Sequence, residues 1–347
     1  MIFGVVFLGL FAGLTGGIMA LGWIWPNYGG GDTWIVSQTR IDTSRVSLEE
    51  IVRKESADKI FAVYSNYSTL EGMNYLADEH KISDAVVVGS DGWLAMRLQQ
   101  KPPVFYSARW RAISSGGTIY KVEKHLFDPY AKVSYIKISL LENGTEGPGQ
   151  AMAQFKVANF EDTTGPFDEV FVFEKGEWRY SRVGYTTMIE SPVSGRLDSA
   201  PWRLYGLDGN YSDGSIVINR KGRVVGFVSG ANRFAPSSYL SGILSSVLSK
   251  EKIEYPSFGV MGWFSVEQPV YDKKGQAQGF AVAGIWNKNS KLRKGDVIIE
   301  INGQIVRDEK LWYNIGAEEV KLTVLRSGKI IELTNAVFYA DPESVKN

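Results

Sequence analysis

From Lys59 to about Ser229 the chain alternates short apolar runs with polar turns. Ile60 to Tyr64, Ala85 to Val88, Val133 to Ile138, Glu169 to Phe173 and Ile216 to Ile218 are such runs. Ser90-Asp91-Gly92 and Lys221-Gly222 are turn signals between them. Many short strands with regular turns predict an all-β barrel or sandwich. The period then changes. Leu240, Ile243, Leu244, Val247 and Leu248 recur at helical spacing behind the cap candidates Ser237 and Ser238, which predicts a helix whose apolar stripe packs on the strands. Beyond Pro256 the stretch from Lys294 to Gly303 reads as a strand running into an Asn-Gly hairpin turn. A short helix is expected around Leu311 to Ile315. Val320, Leu322 and Val324 then alternate with Lys321 and Thr323 on a last strand before the turn Ser327-Gly328. Together these predict a small α+β module of roughly 85 residues.

Ahead of the strands, Met1 to Trp25 holds no charged side chain. About 20 such residues cross a bilayer as a helix, so a transmembrane anchor is expected. Trp23, Trp25 and Tyr28 stand where an interfacial aromatic belt belongs, and Pro26 stops the helix. The rival reading is a cleaved signal peptide, which calls for a basic start and a small-x-small site. Gly9, Gly13 and Gly17 form a GxxxGxxxG face suited to close helix contact, or are small residues scattered along the span. The expected organisation is an anchor over residues 1–25, a linker over 26–45, a strand-rich domain over 46–253, the small module over 254–340 and a tail over 341–347. At the start of the strand-rich domain, Ser47 and Glu50 have capping-box spacing and predict a short helix from Leu48 to about Ala57.

Charge balances at 38 basic and 38 acidic residues, which argues against a nucleic-acid partner. There is no cysteine, so disulfides, thiolate metal sites and cysteine nucleophiles are excluded. Any histidine base must be His80 or His125, and a structural role is expected for both. Asp208, Asn210 and Asp213 lack the spacing of a calcium loop. Gly29-Gly30-Gly31 and Gly116-Gly117 lack the context of a phosphate loop. No metal or cofactor is expected.

Longer motifs carry a resemblance. LRKGDVIIEINGQIV, followed by VKLTVLRSGK, resembles the PDZ domains of HtrA/Deg proteases, and PSFGVMGW at Pro256 to Trp263 is similar to their carboxylate-binding loop and adjoining strand. SDAVVVGSDGWLAM resembles the hairpin that leads to the catalytic histidine of that family. FDPYAKVSYIKI resembles the stretch bearing its aspartate, and YSDGSIVINRKGRVVGF the stretch bearing its serine. The resemblance implies a mainly β fold: an N-terminal transmembrane helix, a trypsin-like double β-barrel and a C-terminal PDZ-like α+β domain. It also implies an extracytoplasmic location, a family activity of serine endopeptidase, and assembly with itself or with HtrA-like subunits.

Carried over position by position, the histidine falls on Gln99, the aspartate on Lys132 and the nucleophile on Asp213. None performs the required role. Gln99 does not titrate, Lys132 repels an imidazolium, and Asp213 is no activated hydroxyl. Ser212 and Ser215 flank Asp213 and are alternative nucleophiles. Tyr211 and Ile216 replace a glycine and a proline of the family pattern, which puts the backbone amide hole in doubt. In the PDZ-like module, Phe258, Gly259 and Val260 are the implied carboxylate loop and strand, with Leu311 and Ile315 facing the groove. The other reading of these apolar residues is core packing. Two functions follow: a membrane-anchored pseudoprotease scaffold binding unfolded or C-terminal peptide segments, or a divergent serine endopeptidase of protein quality control.

Overall fold

The computed structural model describes residues 50, 52, 56–103, 109–140, 154–161, 165–188, 196–272 and 275–342, with the backbone alone at 187, 188, 272, 276 and 277. The expected anchor, its glycine face and the linker lie outside the described residues. Among the described residues no helix is long and apolar enough to cross a membrane. Of the helix expected at Leu48 to Ala57, the described Glu50, Val52 and Ser56 are helical, and Ala57–Lys59 forms a 3-10 turn.

The strand-rich region is two closed six-stranded barrels. The first holds β1 (Ile60–Tyr64), β2 (Lys81–Val87), β3 (Trp93–Arg97), β4 (Arg111–Ser114), β5 (Ile119–Asp128) and β6 (Val133–Leu140). The second holds β7 (Glu169–Glu174), β8 (Glu177–Met188), β9 (Arg203–Leu207), β10 (Ile216–Asn219), β11 (Val224–Val228) and β12 (Arg233–Pro236). Both close in the order first, second, third, sixth, fifth, fourth strand, with antiparallel pairing throughout. Closure removes the exposed edges that a sheet of this size otherwise presents.

Strand alternation divides the apolar side chains among three cores. On β1, Phe61 and Val63 point into the first barrel, where they meet Leu94, Met96 and Ile136. Val170, Val172, Val217 and Val228 fill the second. The opposite faces of the same strands pack in the seam between barrels: Trp93, Ala95 and Tyr135 from one, Phe171, Ile216 and Phe227 from the other. β3 and β10 are therefore apolar on both faces. Gly226 on β11 lets the β12 backbone approach, since a Cβ there would stand 2.1 Å from the Ala235 carbonyl oxygen.

Helix α1 (Ser238–Lys250) follows, and Leu240, Ile243 and Val247 close over the seam. Leu248, placed on the same stripe by spacing, is instead exposed. Ser237 does not cap the helix with its side chain: its hydroxyl donates to the Glu161 carbonyl at 2.9 Å, a partner brought from the loop before β7.

The C-terminal module is one antiparallel sheet of β13 (Val260–Phe264), β14 (Phe280–Ile285), β15 (Val297–Ile301), β16 (Glu319–Arg326) and β17 (Lys329–Ala336). Asn302 and Gly303 take positive φ of 49 and 78°, the turn expected there. The expected helix at Leu311 to Ile315 is shorter and begins earlier, as α2 (Lys310–Tyr313), and Ile315 lies beyond its end. Gln304–Ile305 folds back on β15, and a seventh strand on this sheet comes from elsewhere. Arg196–Leu197, in the segment between β8 and β9, pairs antiparallel with β13.

Candidate functional site

Three turns meet where the barrels face each other. One leaves β3 and carries Gln99, one joins β5 to β6 and carries Lys132, and one enters β10 and carries Asp213. The Leu98 amide donates to the Lys132 carbonyl at 2.9 Å. A Cβ on Gly214 would stand 3.2 Å from the Arg97 carbonyl oxygen and 2.9 Å from Ser83 Oγ. The structure thus brings Gln99, Lys132 and Asp213 to one place.

Arg97, which the sequence reading passed over, dominates that place. Its Nη1 donates to the Ala131 carbonyl at 2.6 Å and its Nη2 to Ser229 Oγ at 2.7 Å. Its Nε lies 3.7 Å from Asp213 Oδ1. Only 7% of Arg97 is exposed, and burial pulls its pKa down while Asp213 and Asp128 push it back up. Arginine stays charged under such opposition. Asp213 Oδ1 also accepts the Gly230 amide at 2.8 Å. The carboxylate at the nucleophile position is therefore engaged by a cation and a backbone donor.

The amides of the same turn are engaged as well. Tyr211 donates to the Ala231 carbonyl at 2.6 Å, Gly214 to Val228 at 3.0 Å and Ser215 to Ser212 at 3.2 Å. The Ser212 amide donates to Glu174 Oε1 at 2.7 Å. An oxyanion needs outward-facing amides held ready for developing charge. The Tyr211 amide is already bonded to Ala231, so it is not free to take part in such a pair. The buried Tyr211 ring fixes the arrangement, its hydroxyl donating to the carbonyls of Asp208 and Tyr180.

Among the described residues neither alternative serine is hydrogen-bonded to a histidine. Ser212 Oγ donates to Glu174, whose pKa is held below the ordinary carboxylate value first by that hydroxyl and then by Arg179. A carboxylate so stabilised is a weak proton acceptor. Ser215 is buried. His125 Nε2 lies 3.0 Å from the buried Ser134 Oγ, with Trp110 against its ring, and burial followed by Lys101 lowers its pKa to about 4. His80 contacts Ser68 Oγ at 3.2 Å. Among the described residues no group of three or more His, Cys, Asp or Glu is placed to hold a metal ion. What remains is a cleft of about 530 Å³, lined by Tyr64, Lys81, Asp84, Glu174, Ser212 and Asp213.

Two barrels of the same strand order, a joining helix and a small C-terminal sheet, in that order, match solved structures along most of the chain. The HtrA-type protease AlgW with decapeptide is similar at a TM-score of 0.53 and 13% identity, over 85% of this chain and 99% of that one. AlgW with tripeptide is similar at a TM-score of 0.51 and 15% identity, over 85% of this chain and 98% of that one. The fold is that of an HtrA-type protease. No protein-family model matches the sequence, and no curated protein matches it.

In this HtrA-type fold the implied groove residues sit as follows. Phe258 and Val260 are fully buried, and Gly259 has φ +84°. Leu311 and Ile315 are partly buried against the module's core. The side chain that reaches the loop is Trp312, which the sequence reading missed. Its Nε1 donates to Asp198 Oδ2 at 2.8 Å. The fully buried Asp198 also accepts from the Phe258 amide at 2.8 Å and Ser257 Oγ at 2.6 Å. No motif surrounds Asp198, so nothing local marked it.

Buried carboxyls set a pH dependence. Burial raises Asp128 and Asp198 to about 6 and Glu309 to about 7. Each folded pKa exceeds its unfolded value. The folded chain therefore binds more protons between about pH 4 and 7, and stability falls as pH rises through that window. His125, with its lowered pKa, opposes this between about pH 4 and 6.5, as one group against three. Thermal melting is expected to give a higher Tm near pH 5.5 than near pH 7.5, and Asp198→Asn is expected to shrink the difference.

Proposed function

We propose that this chain is a pseudoprotease: an HtrA-type fold anchored in a membrane by Met1 to Trp25, with its barrels extracytoplasmic, that binds polypeptide without cleaving it. The observation that carries this reading is the engagement of Asp213 by Arg97 and the Gly230 amide, at the position where a nucleophile is needed. The Tyr211 amide, bonded to the Ala231 carbonyl, supports it independently. Polypeptide as the partner rests on two supports. The AlgW structures hold peptides, and the cleft here is open and lined by groups that donate and accept. Extended segments of unfolded proteins are the proposed occupants. The proposed scaffold also assembles with itself or with HtrA-like subunits, and its C-terminal sheet is read as a PDZ-like domain.

The runner-up is a divergent serine endopeptidase. It is favoured by the contact between Ser212 Oγ and Glu174 and opposed by the low basicity of that carboxylate. A fluorophosphonate probe applied to the full chain decides between them. The pseudoprotease reading expects no labelling, with or without added peptide. Labelling that Ser212→Ala abolishes would establish the endopeptidase.

A further inference from the structure

A PDZ-type module binds its ligand by strand addition. The peptide pairs antiparallel with one edge strand, and its terminal carboxylate is captured at the loop where that strand begins. Here the edge is β13 and the loop is Ser257 to Gly259. Both are already engaged. Arg196 pairs with Gly262 and Leu197 with Met261, so the segment runs antiparallel to β13 and heads for the loop, as a ligand's C-terminus does. The next residue is Asp198. Its carboxylate accepts the Phe258 amide, the Ser257 hydroxyl and the Trp312 indole, a set of donors suited to a carboxylate.

We infer that Arg196–Asp198 is a built-in ligand of the C-terminal module: its strand takes the edge an outside peptide would take, and the Asp198 side chain stands in for that peptide's terminal carboxylate. The inference rests on the PDZ-like reading of the module and is independent of whether the barrels cleave peptide bonds. The module's partner is then this chain's own second barrel, and free C-terminal peptides find the groove filled. Tethering strengthens the closure, because a linked segment competes at a high effective concentration.

The anchors on either side make this a lock. Arg196 forms an ion pair with Glu267, both side chains less than a tenth exposed, and its guanidinium lies over the rings of Trp202 and Phe264. Leu197 is buried in the seam core with Tyr239 and Ile243. Beyond Asp198, Tyr313 Oη donates to the Ser199 carbonyl at 2.8 Å, and Arg203 pairs with Asp308 at 2.7 Å. Withdrawal of the segment would leave Glu267 buried without its cation, which is a large cost.

The test uses the full chain and a dye-labelled peptide with the sequence of residues 191–197, ending in a free carboxylate. The unaltered chain is expected to show no saturable binding. The double variant Arg196→Gly with Asp198→Ala is expected to bind the peptide, and amidation of the peptide's end is expected to weaken binding at least tenfold. Binding to the unaltered chain as tight as to the variant would overturn the inference. So would a variant that binds neither form, or both forms equally. If the variant fails to fold, the absence of native cysteine allows a second measurement. Leu197→Cys with Met261→Cys faces two thiols across the pairing, and oxidation is expected to join them nearly completely. Thiols that both remain free would contradict the closed groove. Neither outcome bears on fluorophosphonate labelling, so this inference and the loss of catalysis fail separately.

Discussion

Arg97→Ala is expected to lower the folding free energy by about 3–5 kcal/mol, the range for removing one partner from a buried charged pair. The side chain has only 7% exposure, and its three nitrogens reach into both barrels. Its loss leaves Asp213 without a cation, and the Ala131 carbonyl and Ser229 hydroxyl without their donor. Arg97→Lys is expected to recover less than half of the loss, because a single ammonium cannot span acceptors in different directions. Chemical denaturation of the full chain measures both. A loss below about 1 kcal/mol for the alanine variant would show that the barrels hold together without this side chain.

Trp312→Ala is expected to cost a similar amount, about 3–5 kcal/mol, by emptying the centre of the module's core. Trp312 is fully buried, with the rings of Phe258, Phe264 and Phe280 at centroid distances of 5.3, 5.8 and 5.8 Å. Trp312→Phe separates packing from hydrogen bonding. It keeps most of the ring contact and removes one donor from Asp198, so about 1–2 kcal/mol is expected. Equal losses for the two variants would mean that the indole N–H contributes most of the effect and packing little.

These two residues show where sequence reading reaches and where it stops. Features that impose their own local geometry were legible. Asn302-Gly303 takes the positive φ values its turn demands, and the alternation of Val320, Leu322 and Val324 is the inward face of β16. The turns that carry Gln99, Lys132 and Asp213, far apart in the chain, meet in the structure. The missed residues act across long separations. Arg97 closes an apolar strand and reads as its polar end, yet its partner Ser229 is 132 positions away. Asp198 lies in a segment with no motif and is 114 positions from Trp312. The offset of α2 has a similar cause. Trp312 is held by the module's core and by Asp198, which outweighs the leucine and isoleucine spacing that suggested a helix from Leu311 to Ile315. Ser237 was drawn from its expected cap by a loop that precedes β7.

In the proposed reading, this HtrA-type fold keeps the architecture of a protease, and its chemical positions hold groups that bind one another. Asp213 is held by Arg97, the Tyr211 amide by Ala231, and Ser212 by Glu174. The built-in ligand inferred for the C-terminal module extends that reading to Asp198. The most direct measurement of the central claim is hydrolysis of unfolded casein by the full chain, compared with its Ser212→Ala variant. The account predicts no cleavage above background by either protein. Cleavage by the unaltered chain that Ser212→Ala abolishes would contradict it.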